Sequence, residues 1–291
     1  MLPATHVPSP TAELEALLQQ RFGQRVLALN DSAQAIREIG NGPAIVLLHG
    51  IGSGAGSWLE VALQLGQQAR VVAWDAPGYG ESSPLPSLVP TAEDYAVRLS
   101  QTLDSLGIAN CVLVGHSLGA ITAAAFTRLY PERVRRLVLI SPARGYGDPA
   151  RAAQGEAVRA HRLSTLEQSG IARMAAQRSS AMLSPRAGAK ALEWVRWNMA
   201  RLNPDGYRQA IELLCGDDLL RHAPLQVPCD VHCGEADGIT PAEACLTLAK
   251  ALGATFSLIP DAGHASPIEQ PHPVAGRLAF ALKESLTGSV Q

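Results

Sequence analysis

Val112-Leu113-Val114-Gly115-His116-Ser117-Leu118-Gly119 runs from three apolar residues straight into a G-x-S-x-G pattern, and an alanine-rich segment from Ala120 to Tyr130 follows at once. Strand, tight turn and helix in that order form the setting of a nucleophile elbow, which lifts a serine above the end of a sheet. The setting matters because a serine hydroxyl is a weak nucleophile until a base can reach its oxygen. Gly115 and Gly119 suit the turn, since side chains there would collide with its opposite arm. Ser117 is therefore the candidate nucleophile.

Outward from the elbow, apolar runs alternate with helical patterns. Pro43 to Leu48 reads as a strand covered on both faces, Arg70 to Trp74 as another buried strand, and Cys111 to Val114 and Arg136 to Ile140 as further strands. Arg25 to Leu29 and Ala35 to Ile39 alternate like half-buried strands around the turn-prone Asn30-Asp31-Ser32, an opening hairpin. Thr11 to Phe22 spaces its leucines as a short amphipathic helix. Thr91, with Asp94 three residues on, caps a helix predicted to reach about Leu106. Further strands are predicted at Val227 to Cys233 and Thr255 to Ile259, followed by helices to Leu252 and over Val274 to Leu282. Strands alternating with helices imply a mostly parallel sheet, whose functional groups gather in the loops at the strands' C-terminal ends.

Between Gly145 and His222 the strand signal vanishes. Leu192, Val195 and Met199 keep helical spacing, and prolines at 149, 185 and 204 divide the segment into several short helices. It reads as an insertion covering the sheet, which divides the chain into a core at 1–144 and 223–291 and a helical cap at 145–222. Trp194, Trp197, Met174 and Met182 are candidates for a pocket wall on its inner side, where core packing and pocket lining are one surface.

The glycine-rich loop His49-Gly50-Ile51-Gly52-Ser53-Gly54-Ala55-Gly56 admits two chemistries. A dinucleotide site needs G-x-G-x-x-G with a ribose-binding acid, for which Asp75 would serve, but Ala55 or Ser57 stands where the third glycine belongs. An oxyanion loop needs small residues that let a backbone N–H face the reacting carbonyl, and the Ile51 amide suits that part.

Composition narrows the field. The 291 residues are 47% hydrophobic and 17% charged with a net charge of −2, a soluble globular balance with no electrostatic footprint for nucleic acid. No apolar run reaches the ~18 residues of a membrane span. The stretch from Met1 to Pro10 does not resemble a secretory signal, so the cytoplasm is the expected compartment. Five cysteines, an odd number, argue against a disulfide framework. Cys229, His232 and Cys233 invite a metal reading, but in a strand His232 faces away from the two cysteines and no second ligand pair is at hand. No metal is expected.

Taken together, His49-Gly50, Asp75-x-Pro77-Gly78-x-Gly80-x-Ser82, Gly115-His116-Ser117-Leu118-Gly119, Gly234-x-x-Asp237 and Gly263-His264 resemble the α/β-hydrolase superfamily with a helical cap, over nearly the whole chain. The resemblance implies an α/β fold with a mostly parallel eight-stranded sheet flanked by helices. It also implies a Ser117-His264-Asp237 triad with an oxyanion hole from the amides of Ile51 and Leu118, and hydrolysis of a small-molecule ester or lactone without a cofactor. For the base, His264 follows the last strand between small residues, whereas His272 lies between prolines and His116 belongs to the elbow. For the acid, Asp237 fits the position better than Glu235, Asp230 or Asp261. His116, Trp58, Trp194 and Trp197 are the candidate substrate-binding residues. Relatives that cleave carbon–carbon bonds in ring-fission products commonly carry tryptophan after the catalytic histidine and asparagine in the oxyanion loop. Ala265 and a Gly/Ser/Ala run stand there instead, which places ester or enol-lactone hydrolysis first and carbon–carbon hydrolysis second. A serine nucleophile sets the chain apart from the dehalogenases and epoxide hydrolases of this fold. A binding protein that keeps the fold without turnover is the alternative of another class, and a homodimer is kept in view as the assembly.

Overall fold

The structure, a computed structural model, describes residues 10–287. The stretch read above for a secretory signal lies almost wholly outside them. Helix α1 (Pro10–Arg21) leads into the hairpin β1 (Gln24–Leu29) and β2 (Ser32–Ile39), whose register pairs Leu29 with Ser32 across Asn30-Asp31. The strands β3 (Ala44–Leu48), β4 (Arg70–Trp74), β5 (Cys111–His116), β6 (Val134–Ile140), β7 (Cys229–Gly234) and β8 (Thr255–Ile259) complete one eight-stranded sheet in the order β1-β2-β4-β3-β5-β6-β7-β8. β1 and β2 run antiparallel to their neighbours, and β4, β3, β5, β6, β7 and β8 are mutually parallel.

The continuous apolar runs at β3 and β5 exist because both faces of these strands are covered; every residue of β5 is buried. The covering helices are α2 (Leu59–Leu65), α3 (Ala92–Ser105), α4 (Gly119–Leu129), α8 (Ala242–Leu252) and α10 (Pro271–Thr287), with a single turn α9 (Ser266–Glu269) ahead of the last. Thr91 is the predicted cap and forms a capping box: its Oγ1 accepts from the Asp94 amide at 3.2 Å, and Asp94 Oδ2 accepts from the Thr91 amide at 2.8 Å. From β3 the chain moves to β4 on one side and later to β5 on the other. The strand order therefore reverses between β3 and β5, where open α/β sheets form their binding crevice.

Between β6 and β7 stand α5 (Ala152–Arg178), α6 (Ala189–Ala200) and α7 (Pro204–Gly216). The first is longer than its proline spacing predicts, because Pro149 precedes it and the break falls at Gly170, with φ +66° and ψ 171°. Glycine, not proline, interrupts it, since only glycine takes that conformation cheaply. Pro204 occupies the first turn of α7 behind an Asn203 cap whose side chain accepts from the Asp205 amide at 2.8 Å. Backbone meets backbone where this segment touches the core: a Cβ on Gly206 would lie 2.0 Å from the Gly78 carbonyl oxygen, and one on Gly263 2.5 Å from the Ser184 nitrogen.

Candidate active site

Ser117 follows β5 directly and takes φ +54°, a left-handed conformation that costs a non-glycine residue ~1–2 kcal/mol. The surrounding structure enforces it: the Ser117 amide donates to the Ile140 carbonyl at 3.0 Å, and its own carbonyl accepts from Ala120 and Ala143, both at 3.1 Å. A Cβ on Gly115 would stand 2.6 Å from the Ala120 Cα, the collision with the opposite arm that the pattern predicts. Gly119 differs. Its Cβ would strike the Leu48 carbonyl oxygen at 2.6 Å, so that glycine admits β3 and not the rest of the turn. Gly50 is glycine for a related reason, because its Cβ would sit 2.8 Å from the Ser117 Cβ.

Three side chains from three distant loops meet at this turn. His264 Nε2 lies 2.9 Å from Ser117 Oγ, and His264 Nδ1 lies 2.9 Å from Asp237 Oδ2. His264 is 1% exposed, so water does not compete for either nitrogen. Asp237 Oδ1 accepts from the amides of Ile239 (2.8 Å) and Thr240 (2.9 Å), and the Thr240 hydroxyl lies 2.9 Å from Oδ2. Burial pushes this carboxyl up, but the hydrogen bond and charge of His264, together with the Thr240 amide, outweigh it and hold the group down to about 2. Asp237 is thus an anion facing the imidazole at any neutral pH. The rival acids stand elsewhere: Asp230 pairs with Arg136, Asp261 pairs with Arg186, and Glu235 is exposed. His272 is exposed and bonds Gln64.

The glycine-rich loop is held by residues to which its sequence gives no obvious role. The Ala76 amide donates to His49 Nε2 at 3.0 Å, which leaves the proton on Nδ1, and Nδ1–H donates to the Gly50 carbonyl at 2.8 Å. Burial lowers the His49 pKa, in keeping with this neutral tautomer. The Gly50 carbonyl belongs to the same peptide unit as the Ile51 N–H, so His49 sets that amide's direction. Tyr79 Oη donates to the Ile51 carbonyl at 2.9 Å, and Asp75 Oδ1 accepts from Ala55 N at 2.8 Å. With its carboxylate bound to that loop, Asp75 is a brace for the loop, which removes the ribose-binding alternative. The loop from Asp75 to Ser82 therefore positions the candidate oxyanion loop. Its dense turn formers carry that signal only together with the spatial proximity of β3 and β4.

Gly50, Ile51, His116, Ser117, Leu118 and His264 form the floor of a cavity of about 490 Å³. Met174 and Met182 are in its walls, joined by Met199, Tyr207 and four arginines from the helical segment and the chain leading into it. His116 lies in the cavity floor. Its Nε2–H donates to the His264 carbonyl at 2.8 Å, and burial together with the nearby His264 pushes its pKa down to about 3, so it is neutral.

Trp58, Trp194 and Trp197 do not line this cavity. Trp58 is wholly buried behind His116, their rings edge-on at 6.2 Å. Trp194 and Trp197 stack on each other with centroids 4.3 Å apart. The Trp194 indole N–H donates to the Gly56 carbonyl at 3.2 Å, and that of Trp197 donates to Glu15. The pair clamps α6 against α1 and the back of the glycine-rich loop. Helical spacing shows which residues share a face; it does not show whether that face meets a cavity or another helix.

A sheet of this order with a serine elbow at its centre defines the α/β-hydrolase class, and sequence comparison agrees. A family profile described as the alpha/beta hydrolase fold matches residues 43–271, and the chain belongs to that family. An esterase from Thermogutta terrifontis, in its malate-bound structure, is 26% identical, covering 90% of this chain and 98% of its own, with a TM-score of 0.79. The enol-lactonase of Burkholderia xenovorans is 25% identical over 89% of this chain and 100% of its own, with a TM-score of 0.78. A 2-hydroxy-6-oxononadienedioate/2-hydroxy-6-oxononatrienedioate hydrolase from Burkholderia vietnamiensis is 40% identical over 111 residues, 37% of this chain and 38% of that protein. The chain thus spans well under half the length of such curated relatives. Among the described residues no helix is long and apolar enough to cross a membrane.

Proposed function

We propose that the chain is a serine hydrolase that cleaves a carboxylic ester or enol-lactone of a small molecule through an acyl-enzyme on Ser117. The observation that carries this reading is the unbroken line from Ser117 Oγ to His264 (2.9 Å) to Asp237 (2.9 Å) at the floor of the cavity. His264 Nε2 takes the hydroxyl proton as Oγ attacks the acyl carbon, and Asp237 fixes the imidazole tautomer and stabilises its cationic form. The amides of Ile51 and Leu118 receive the oxyanion, already aimed and so spared the cost of reorganisation. His264 then protonates the leaving oxygen. A water deprotonated by the same imidazole attacks the acyl carbon and releases the acid. No cofactor takes part, the residues between 145 and 222 act as a cap that shapes the pocket, and the setting is cytoplasmic.

A second reading is hydrolysis of a carbon–carbon bond, favoured by the 40% identity to the Burkholderia vietnamiensis hydrolase. It ranks lower because Ala265 follows His264, and its backbone N–H, bonded to the Met182 carbonyl at 2.8 Å, only ties the loop to the helical segment.

The test is hydrolysis of short-chain p-nitrophenyl esters, an enol-lactone and a ring-fission product by the parent and by Ser117→Ala. The variant should lose roughly 10⁴- to 10⁶-fold in turnover with its fold intact. A fluorophosphonate should label Ser117 and no other serine. A folded variant with near-parent turnover sinks the assignment.

A further inference from the structure

The cavity above Ser117 carries a charge imbalance that ester cleavage alone does not require. Its walls include Arg144, Arg151, Arg162 and Arg178, and not one aspartate or glutamate lines it among the described residues. Arg144 is neutralised by Asp148 at 2.6 Å and Asp218 at 2.8 Å. Arg151 is tied to the Gly145 carbonyl and lies over the Tyr146 ring at 4.5 Å. Arg162 donates to the Tyr207 hydroxyl at 2.9 Å, a neutral partner that leaves its charge uncompensated. Arg178, at the end of α5, has no hydrogen-bond acceptor and no carboxylate partner among the described residues.

Two arginines held near each other in a partly desolvated wall without a counter-ion are costly, because a buried charge is tolerated when it is paired. Burial lowers the Arg178 pKa and the charge of Arg162 lowers it further, with Tyr207 opposing them. A guanidinium is also the group whose planar fork best matches an oxyanion.

We propose that the substrate bears an oxyanion, a carboxylate or a phosphate, remote from its scissile carbonyl, and that Arg178 with Arg162 binds it. This rests on the hydrolase reading above and narrows it to acidic esters or lactones. Attack at Ser117 is unchanged; the anion sets which substrates are held with their carbonyl over Oγ.

The experiment compares p-nitrophenyl hydrogen glutarate and adipate with their methyl esters, and with an analogue ending in phosphate, in the parent, Arg178→Gln, Arg162→Gln and Arg173→Gln. Arg173 is exposed on the same helix and controls for net charge alone. The parent should favour an anionic ester over its neutral counterpart by roughly 10- to 100-fold in kcat/KM, the worth of a hydrogen bond to a charged group. Arg178→Gln should collapse that ratio mainly through KM, Arg162→Gln should lower it, and Arg173→Gln should leave it standing. Which analogue gains most assigns carboxylate or phosphate. A flat ratio in the parent, or an equal ratio in Arg178→Gln, overturns the proposal while Ser117-dependent cleavage of neutral esters keeps the hydrolase reading intact. If nothing is cleaved at all, calorimetric titration with glutarate and with butyl phosphate still decides. Binding lost in Arg178→Gln supports the anion site, and no binding to the parent refutes it.

Discussion

Asp237 is the residue at which neighbours in the sequence and neighbours in space part company. Glu235 is two positions away and carries the same group, yet it is exposed while Asp237 collects two backbone amides, a hydroxyl and the His264 ring. Each donor is spent on an anion, so an amide in its place would present an N–H where only acceptors fit. Asp237→Asn should therefore cost roughly 10³- to 10⁴-fold in kcat through loss of the correct tautomer. Glu235→Gln should stay within a few-fold of the parent. Steady-state kinetics on one ester ranks the two, and the opposite order would move the acid. Thr240 belongs to the same cluster: its hydroxyl lies within 3.2 Å of Asp237, the Ser141 carbonyl and His264 Nδ1, and with one proton it can donate to only one of the two oxygens.

At the scale of elements, α6 acts as a clamp. Trp194 is 2% exposed, stacked on Trp197 and bonded to Gly56, and the Arg201 guanidinium covers Trp197 at 3.6 Å from the ring centre. Removing the indole leaves a cavity that its helical surroundings fill only in part, so Trp194→Ala should lose ~3–5 kcal/mol of stability. Because the ring does not face the cavity, the relative rates along a series of esters of rising chain length should match the parent's. Urea unfolding and the ratios of kcat/KM together check this. A change in chain-length preference with little loss of stability would return Trp194 to the pocket wall.

For the whole molecule, the buried histidines govern how stability responds to acid. Burial pushes His116 down to about 3 and His232 down to about 4, against an ordinary value of ~6.5 in the unfolded chain. Between those limits the unfolded chain binds more protons than the folded one, so stability falls as pH falls, by ~1.4 kcal/mol per pH unit for each such histidine. Asp237 adds its share lower still, where pH drops from the unfolded ~3.9 toward about 2 and the folded anion is finally protonated. Urea titrations at pH 6, 5 and 4 should show the slope, and His116→Gln should remove roughly one histidine's part of it. An unchanged slope would mean that His116 titrates alike in both states.

The chain's sequence determined the strands, the Ser117 elbow, the Thr91 cap and the order of serine, aspartate and histidine. Each of these is a local pattern, written in the spacing of apolar residues or in the steric needs of one turn. The position of His264 and Asp237 was legible as well, because a loop after a parallel strand has one place to go. What lay beyond local pattern was decided by contacts between residues far apart in the chain. His49 orients the Ile51 peptide through Ala76, 27 residues on, and Trp197 meets Glu15 across 182 residues. The same limit hid the arginines of the cavity. On α5 Arg162 and Arg178 look like any solvated helical face, and only the docking of that helix over Ser117, where no carboxylate lines the cavity among the described residues, makes them part of its wall.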